Sequence, residues 1–231
     1  MARTFVMGDI HGAYLALAQC LEKSGFNYKS DTLICLGDVT DGWPQVNLAI
    51  EELLKIKKLI FLLGNHDAWA LGWFLTGNAP DIWISQGGKS TIASYSGKIP
   101  KKHIRLLQHA RLYFETDNKV FVHGGFDPMT DISLQTKETL IWDRNLLESA
   151  IELQEVGITK VTKYDEVYLG HTPTLNFGKT EPLKICEIFL MDTGAGWRGG
   201  VLTMMDINTK EKFVSDKVDV LYPGFFGRGI K

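Results

Sequence analysis

The chain has 231 residues with a formal net charge of −2, and 45% of its residues are hydrophobic and 23% charged. This length suits a single α/β domain over residues 1–231, and the near-neutral charge supplies no basic surface for a nucleic-acid duplex. No run is apolar for long enough to cross a membrane, and the sequence enters a predicted strand without a signal segment. We therefore expect a cytoplasmic protein without a membrane partner.

Short apolar runs alternate with helical patterns in the first half of the chain. Strands are predicted where such a run leads to a glycine, over Arg3–Met7, Thr32–Leu36 and Leu59–Leu63. Helices are predicted from apolar spacing or from a proline in the first turn, over Ala13–Ser24, Pro44–Lys55, Ala68–Gly77, Lys89–Tyr95 and Pro100–Arg111. The last of these is basic, and we interpret it as a solvated helix face.

The second half of the chain continues the same alternation. Strands are predicted over Val120–His123, Glu166–Gly170 and Ile185–Met191, followed by a hairpin of Val201–Ile207 and Glu211–Val214. One long amphipathic helix is predicted over Lys137–Glu155. No repeat, low-complexity segment or linker interrupts the pattern, which predicts one α/β fold.

Metal-ligand side chains follow the predicted strands, close to glycines. A carboxylate at the end of a buried strand is costly to bury unless it meets a metal or an opposite charge. Together these positions supply carboxylate, amide and imidazole donors, from Asp9, His11, Asp38, Asn65, His123 and His171. Such a mixture favours Mn²⁺, Fe or Zn²⁺ over Ca²⁺ and Mg²⁺, which prefer oxygen alone.

The number of these ligands indicates two metal ions rather than one. Six ligands exceed what a tetrahedral site needs, whereas two ions that share a bridging carboxylate would use them all. A pair of ions about 3.5–4 Å apart suits in-line displacement at phosphorus, with a bridging hydroxide as the nucleophile.

Each motif also has an ordinary explanation when it is taken alone. Asp-x-His occurs by chance, Gly-Asn-His-Asp can be a polar turn, and a histidine at a strand end can be a satisfied core residue. Four of the six histidines nevertheless lie at or just past predicted strand ends, within two residues of a glycine: His11, His66, His123 and His171. Their joint placement favours a functional site.

Five motifs resemble those of the metallophosphoesterases in order and spacing. They are Gly8-Asp9-Ile10-His11-Gly12, Gly37-Asp38-Val39-Thr40-Asp41, Gly64-Asn65-His66-Asp67, His123-Gly124-Gly125 and Gly170-His171-Thr172. They are most similar to PPP-type phosphoprotein phosphatases, including small bacterial and phage enzymes, and to the related symmetrical diadenosine tetraphosphatases. The resemblance implies a calcineurin-like fold, in which a central β-sandwich is flanked by helices in αββα layers.

The resemblance also implies a role for each motif residue. It gives one metal to Asp9, His11 and Asp38, and a second metal to Asp38, Asn65, His123 and His171. His66 would be the general acid that protonates the leaving alkoxide, and Asp41 would orient it. Asn65 would also contact the substrate. These roles suit phosphoryl transfer, which needs positioning, charge neutralisation and a proton for the leaving oxygen.

The sequence departs from the family pattern at two positions. Gly42 stands where the family usually has an arginine that binds a phosphate oxygen, and Asp67 stands where a glutamate is commoner. Either phosphate binding is weaker or another cation replaces the arginine. Arg144, in Trp142-Asp143-Arg144, is the first candidate and Arg198 the second. The alternative for Arg144 is an ion pair on a helix surface.

Aromatic residues cluster after the second and third motifs, at Trp43, Trp69, Trp73, Phe74 and Trp83. They could form a stacking wall for a nucleobase or an aromatic substrate. Core packing at helical spacing is the better explanation for Trp69 and Trp73. Trp43 is expected to be exposed on its loop and to contact the substrate.

These features predict a phosphatase with two divalent ions, Mn²⁺ first, that acts on phosphoserine or phosphothreonine in proteins or on a small phosphoester. A symmetrical bis(5'-nucleosyl)-tetraphosphatase or another nucleotide phosphohydrolase is the alternative enzyme. A catalytically silent metal-binding scaffold is the alternative from another class. The His66 and Asp41 pair argues against the scaffold, because metal binding alone requires neither residue.

Overall fold

A computed structural model describes residues 2–95 and 98–229. Within them, ten strands form two five-stranded sheets. The strands are β1 Thr4–Met7, β2 Thr32–Cys35, β3 Lys58–Phe61, β4 Tyr113–Thr116, β5 Lys119–Val122, β6 Glu166–Leu169, β7 Leu183–Ile185, β8 Ile188–Leu190, β9 Thr203–Asp206 and β10 Lys212–Val214. The first sheet has the order β10-β9-β1-β2-β3 and the second has the order β4-β5-β6-β8-β7.

Side chains alternate between the two faces of each sheet, as the period of a strand requires. In β1, Phe5 and Met7 pack on the helix side, whereas Val6 packs between the sheets. In the second sheet, Phe121 of β5 and Tyr168 of β6 enter the same interlayer core and stack with their ring centroids 4.6 Å apart. Apolar faces on both sides of each sheet explain why the strands are short, nearly continuous apolar runs.

Helices cover the two outer faces of the sandwich. They are α1 Tyr14–Lys23, α2 Val46–Leu53, α3 Asn65–Thr76, α4 Asp81–Trp83, α5 Lys89–Ser94, α6 Lys101–Gln108, α7 Lys137–Trp142, α8 Asn145–Glu155 and α9 Val218–Leu221, with a π-helical turn at Ile84–Gly88 and 3₁₀ turns at Ile132–Leu134 and Thr174–Phe177. Buried apolar residues of α1 and α2 join the core of the first sheet, and Leu140 of α7 and the buried residues of α8 join the core of the second. The expected αββα sandwich is confirmed. No helix among the described residues is long and apolar enough to span a membrane.

The predicted helix Lys137–Glu155 is two helices, because the chain is extended at Asp143 (φ −61°, ψ 141°). Two contacts explain the break. Asp143 Oδ2 accepts a hydrogen bond from the Leu146 N–H at 3.1 Å, which satisfies one of the unpaired donors at the start of α8. Gly125 packs so closely against Asp143 that a Cβ there would lie 2.6 Å from the carboxylate.

The predicted strand Ile185–Met191 is a hairpin of β7 and β8 that turns at Cys186, where φ is +51°. The Glu187 carboxylate accepts hydrogen bonds from the backbone of Val161 and Thr162, which holds the turn in place. The sequence analysis also missed β4, which pairs with β5 through a tight turn at Asp117 and Asn118, both with positive φ.

Parallel pairing places the functional loops together. The strands β1, β2 and β3 are parallel in the first sheet, and β5, β6 and β8 are parallel in the second. The loops that follow them meet at one edge of the sandwich, where the His171 N–H after β6 donates to the Asp9 carboxylate after β1 at 3.1 Å. The fold therefore brings ligands from both sheets to one place.

Candidate metal centre

The first group of donors lies on the loops after β1 and β2. It comprises Asp9, His11 and Asp38, which are buried and each offer a ligand atom within 4.8 Å of the others. His11 Nε2 is 3.8 Å from Asp38 Oδ2 and 3.9 Å from Asp9 Oδ2. Nδ1 of the same ring lies 2.9 Å from the Thr40 carbonyl oxygen and donates to it, which leaves the Nε2 lone pair directed at the carboxylates.

The second group uses the same Asp38 with His123 and His171 from the second sheet. His123 Nε2 is 3.3 Å from Asp38 Oδ2 and 3.0 Å from Asn65 Oδ1. Asn65 Oδ1 is also 2.9 Å from His171 Nδ1. Asp38 therefore stands between two donor groups that together contain all six predicted ligands.

Burial and charge at these groups fit divalent cations. Burial, followed by the charge of Asp192, raises the pKa of Asp9 well above its usual value, and burial raises the pKa of Asp192 to about 6. Burial and then the charge of His123 lower the pKa of His171 to about 2, so its ring is neutral, the form that binds metals. Its Nε2 is buried and has no hydrogen-bond partner among the described residues. An unpaired ring nitrogen beside crowded carboxylates is the environment that a metal ion would satisfy.

The backbone at the centre is strained. Positive φ angles occur at His11 (47°), Asp38 (49°), Asp41 (70°) and His171 (63°), where residues other than glycine are uncommon. Such strain tends to persist at functional sites, where the surrounding structure imposes it. Close packing adds to the constraint, since a Cβ at Gly64 would lie 2.0 Å from Asp38 Oδ1.

His66 lies in the first turn of α3, beside the shared aspartate. Its backbone N–H donates to Asp38 Oδ1 at 2.9 Å, and its ring Nδ1 is 2.6 Å from Asp41 Oδ2. Asp41 also accepts hydrogen bonds from Trp83 Nε1 at 2.8 Å and from Thr91 Oγ1 at 2.6 Å. Trp83, one of the clustered aromatic residues, is therefore a buried hydrogen-bond donor rather than a stacking surface. Because these donors hold Asp41 in place, Asp41 in turn fixes the orientation of the His66 ring.

Asp67 joins the loop after β2 to the start of α3. Its Oδ1 accepts hydrogen bonds from the backbone N–H groups of Val39 (3.0 Å) and Thr40 (3.2 Å) and from Thr40 Oγ1 (3.1 Å), and its Oδ2 accepts one from Gly64 N (3.3 Å). Burial raises its pKa to about 7. Asp67, where the family more often has glutamate, therefore positions the loop that carries Asp38.

Replacing Asp67 with alanine should lower the free energy of unfolding by at least about 3 kcal/mol, because several buried donors would lose their acceptor. Urea unfolding of the metal-free protein measures this change. Asp67→Asn retains one carbonyl acceptor and should be less destabilised. The exposed Glu152→Ala is the control, and an Asp67→Ala midpoint equal to that of this control would contradict the assigned role.

Arg144 lies at the break between α7 and α8, next to the donor groups. It lines a cavity of about 390 Å³ together with His171, and a second of about 290 Å³ together with Asn65 and His66. Burial and then the charge of Arg228 lower its pKa. Arg198 is exposed, with its guanidinium 5.5 Å from the ring centroid of Phe226, and it does not line either cavity. The structure therefore does not bring Arg198, the second candidate from the sequence, to the cavities that Arg144 lines.

The expectation that Trp43 is exposed is wrong. Its side chain is 0% exposed, its Nε1 donates to the Ala195 carbonyl oxygen at 2.6 Å, and its ring stacks on Tyr222 at 5.2 Å. It cannot stack on a substrate. The aromatic side chains that do line the smaller cavity are Trp69 and Trp142, which contact each other at 5.0 Å.

Two residues at the centre were missed by the sequence analysis. Asp192 follows β8 and is buried beside Asp9, and the strand-end rule would have found it. Arg228 has Nη1 3.3 Å from His11 Nε2 and lines both cavities with Arg144. No pattern near residue 228 indicates a site, so only the tertiary structure reveals it.

Comparison with known proteins identifies the family. The model of the calcineurin-like phosphoesterase family matches residues 2–198. The chain belongs to this family. The resemblance in its motifs is thereby confirmed, and this phosphoesterase falls among the hydrolases of phosphoric esters.

Its relatives carry two kinds of name. Serine/threonine-protein phosphatase 2 of Salmonella typhimurium strain LT2 is 38% identical over 176 residues, which cover 72% of this chain and 78% of that protein. The Escherichia coli K12 protein of the same name is 39% identical over only 84 residues, 36% of this chain and 38% of that protein. Bis(5'-nucleosyl)-tetraphosphatase PrpE (asymmetrical) of Bacillus cereus strain Q1 is 28% identical over 226 residues, 86% of this chain and 87% of that protein.

The fold also matches solved structures. The crystal structure of a candidate diadenosine tetraphosphatase has a TM-score of 0.70 with 17% sequence identity, and the match covers 92% of each chain. At this level of identity the match supports the fold alone.

Proposed function

We propose that this phosphoesterase is a two-metal phosphatase that hydrolyses phosphomonoesters, foremost phosphoserine and phosphothreonine in proteins. The observation that carries the proposal is the sharing of Asp38 by two groups of metal ligands. A shared carboxylate is the arrangement needed for two ions close enough to act on one phosphoryl group.

In this proposal one ion is held by Asp9, His11 and Asp38, and the other by Asp38, Asn65, His123 and His171. Nitrogen and oxygen donors in these numbers favour Mn²⁺, with Fe or Zn²⁺ as alternatives. Bound there, two divalent ions would neutralise phosphoryl charge and lower the pKa of the attacking water. A reducing, cytoplasmic location is also proposed, and the three buried free thiols Cys20, Cys35 and Cys186 agree with it.

His66 is the proposed general acid. Its Nδ1 donates to Asp41 at 2.6 Å, which fixes the orientation of the ring and leaves Nε2 free to face the leaving group. The proton on Nε2 can then pass to the leaving alkoxide, and the neutral ring that results keeps its Nδ1 hydrogen bond. Arg144, at the mouth of the site, would bind a phosphate oxygen, and Asn65 would contact the substrate as well as a metal.

A second candidate function is the hydrolysis of dinucleoside tetraphosphates. The observation that favours it is a pair of arginines, Arg144 and Arg228, that line both cavities next to the ligands. A chain of several phosphates could contact both guanidiniums, whereas one phosphomonoester needs fewer cations. Trp69 and Trp142 in the smaller cavity could receive a base.

Side-by-side turnover tests the proposal. With Mn²⁺ bound, we expect kcat/KM for a phosphoserine peptide to exceed that for diadenosine tetraphosphate by about tenfold or more, with p-nitrophenyl phosphate as a common reference. The reverse order would support the nucleotide hydrolase. Inactivity towards all three compounds, with two ions bound per chain, would contradict both enzymes and favour a metal-binding scaffold.

A further inference from the structure

The segment 222–229, which we call the strap, crosses the loop that follows β2. Tyr222 stacks on Trp43 at 5.2 Å, and the Arg228 N–H donates to the Gly196 carbonyl oxygen at 2.8 Å. Between these contacts Gly227 has φ +64°, and a Cβ there would lie 2.5 Å from Gly196 O and 2.9 Å from Trp43 Cζ2. The buried Trp43 is therefore the platform on which the strap is seated.

The strap places the stem of Arg228 over Gly42. A Cβ at Gly42 would lie 3.3 Å from Arg228 Cγ and 3.1 Å from the His11 carbonyl oxygen, and φ at Gly42 is +81°. A side chain at position 42 would therefore be strained and would press on Arg228. Gly42, where the sequence departs from the family pattern, and the adjacent Trp43 share one explanation, because Gly42 leaves room for Arg228 and Trp43 seats the strap that carries it.

Only some of the N–H donors of the Arg228 guanidinium have hydrogen-bond acceptors. Its Nη1 is 3.3 Å from His11 Nε2 and its Nη2 is 3.3 Å from Gln86 Oε1, both longer than a strong charged hydrogen bond. Its Nε is buried and has no hydrogen-bond partner within residues 2–95 and 98–229. The group also lies over the Trp197 ring at 4.9 Å, which restricts its orientation. A half-buried cation with an unused, buried N–H donor is poised for an anionic ligand.

The contact with His11 identifies where that ligand would bind. His11 Nε2 has one lone pair, so it cannot bind a metal and accept from Arg228 Nη1 at once. When the ring serves as a ligand, Nη1 needs another acceptor close to the ligand group. An oxygen of a phosphoryl group is the anionic acceptor that fits, since a guanidinium can bind two such oxygens side by side.

We propose that Arg228 binds a phosphate oxygen of the substrate and replaces the arginine side chain absent at Gly42. The inference rests on the proposed phosphoesterase function. Arg144 lines the same two cavities, so a phosphate between the two guanidiniums would be bound from both sides. The strap is thus part of the substrate site.

Kinetics of Arg228→Ala and Arg228→Lys test the proposal. For Arg228→Ala we expect KM for p-nitrophenyl phosphate to rise about ten- to a hundredfold, and inhibition by inorganic phosphate to weaken by a similar factor. Because the contact is already made in the ground state, kcat should fall less. Arg228→Lys keeps the positive charge but lacks the paired N–H donors of a guanidinium, so its KM should lie between those of Arg228→Ala and the wild type. Metal content and urea midpoint should match those of the exposed control Arg105→Ala.

A second variant separates the position of the arginine from its charge. Gly227→Ala keeps Arg228 but places a methyl group against Gly196 and Trp43, so it should displace the strap and raise KM as Arg228→Ala does. Gly25→Ala is its matched control, because φ at Gly25 is +59° and a Cβ there meets nothing within 4 Å. This control should keep the wild-type KM.

Two results would overturn the proposal. One is an unchanged KM and phosphate inhibition in Arg228→Ala. The other is a rise in KM for Arg198→Ala with none for Arg228→Ala. If the wild type turns over no phosphoester, calorimetry of inorganic phosphate binding still decides the question. Tighter binding by wild type than by Arg228→Ala would uphold the role of Arg228 although the proposed function had failed, and equal binding would reject it.

Discussion

Replacing His66 with asparagine should lower kcat by about 10²–10⁴-fold, the usual contribution of a general acid, while two ions remain bound. His66 is not among the six proposed ligands, and its ring is held by Asp41 at 2.6 Å, so the substitution should spare the metals. Steady-state kinetics together with metal analysis measure the effect. KM should change little, because the ring acts on the leaving oxygen rather than on ground-state binding.

The control for this prediction is to compare the loss of activity in His66→Asn on two substrates with different leaving groups. Nitrophenolate is a stable anion and needs little protonation, whereas the serine alkoxide of a phosphopeptide needs a full proton. His66→Asn should therefore lose much more activity towards a phosphoserine peptide than towards p-nitrophenyl phosphate. Asp41→Asn should show the same trend with a smaller loss. Equal losses on both substrates would contradict the general-acid role.

Replacing Asp38 with alanine should impair the binding of both metal ions. Asp38 is the carboxylate common to both ligand groups, and its Oδ1 also receives the backbone N–H of His66. Its loss should reduce the metal content below two ions per chain and lower kcat by at least about 10³-fold, equivalent to the several kcal/mol that metal ions supply. Metal analysis after gel filtration and kinetics at saturating Mn²⁺ measure both changes.

Asp9→Asn provides the comparison for Asp38→Ala, since Asp9 belongs to only one of the two groups. This substitution should weaken the binding of one ion, and excess Mn²⁺ should restore part of the activity of the variant. Asp38→Ala should not recover in this way. If Asp38→Ala retained two ions and most of its activity, the shared-ligand arrangement would be wrong.

Local signals in the sequence predicted an α/β fold and the grouping of ligands, and the resemblance to the metallophosphoesterases implied the sandwich. A short apolar strand, a glycine and a metal-ligand side chain recur, and parallel strands bring their carboxyl ends to a common edge. The resemblance, which assigns Asp9 and His171 to one two-metal centre, predicted that they meet although they follow strands of different sheets. The protein-family resemblance then separated the two aspartates after β2 into different proposed roles.

The features that the sequence could not predict depend on contacts between distant residues. The break at Asp143 lies within a continuous amphipathic pattern, and it arises because Gly125 leaves room for that carboxylate. Trp43 is a large aromatic residue on a polar loop, and its burial depends on Tyr222. Arg228 reaches His11 across 217 positions of sequence, so no local pattern could link it to the site.

The placement of the ligands on both sheets has a mechanical consequence. Asp9, His11 and Asp38 follow strands of the first sheet, whereas His123 and His171 follow strands of the second. An ion held by the second group would join the two layers at one edge, where the apolar interlayer core of Val6, Phe121 and Tyr168 ends. Metal binding at the proposed centre would therefore stabilise the contact between the two sheets as well as support catalysis, so removal of the metal should loosen that contact.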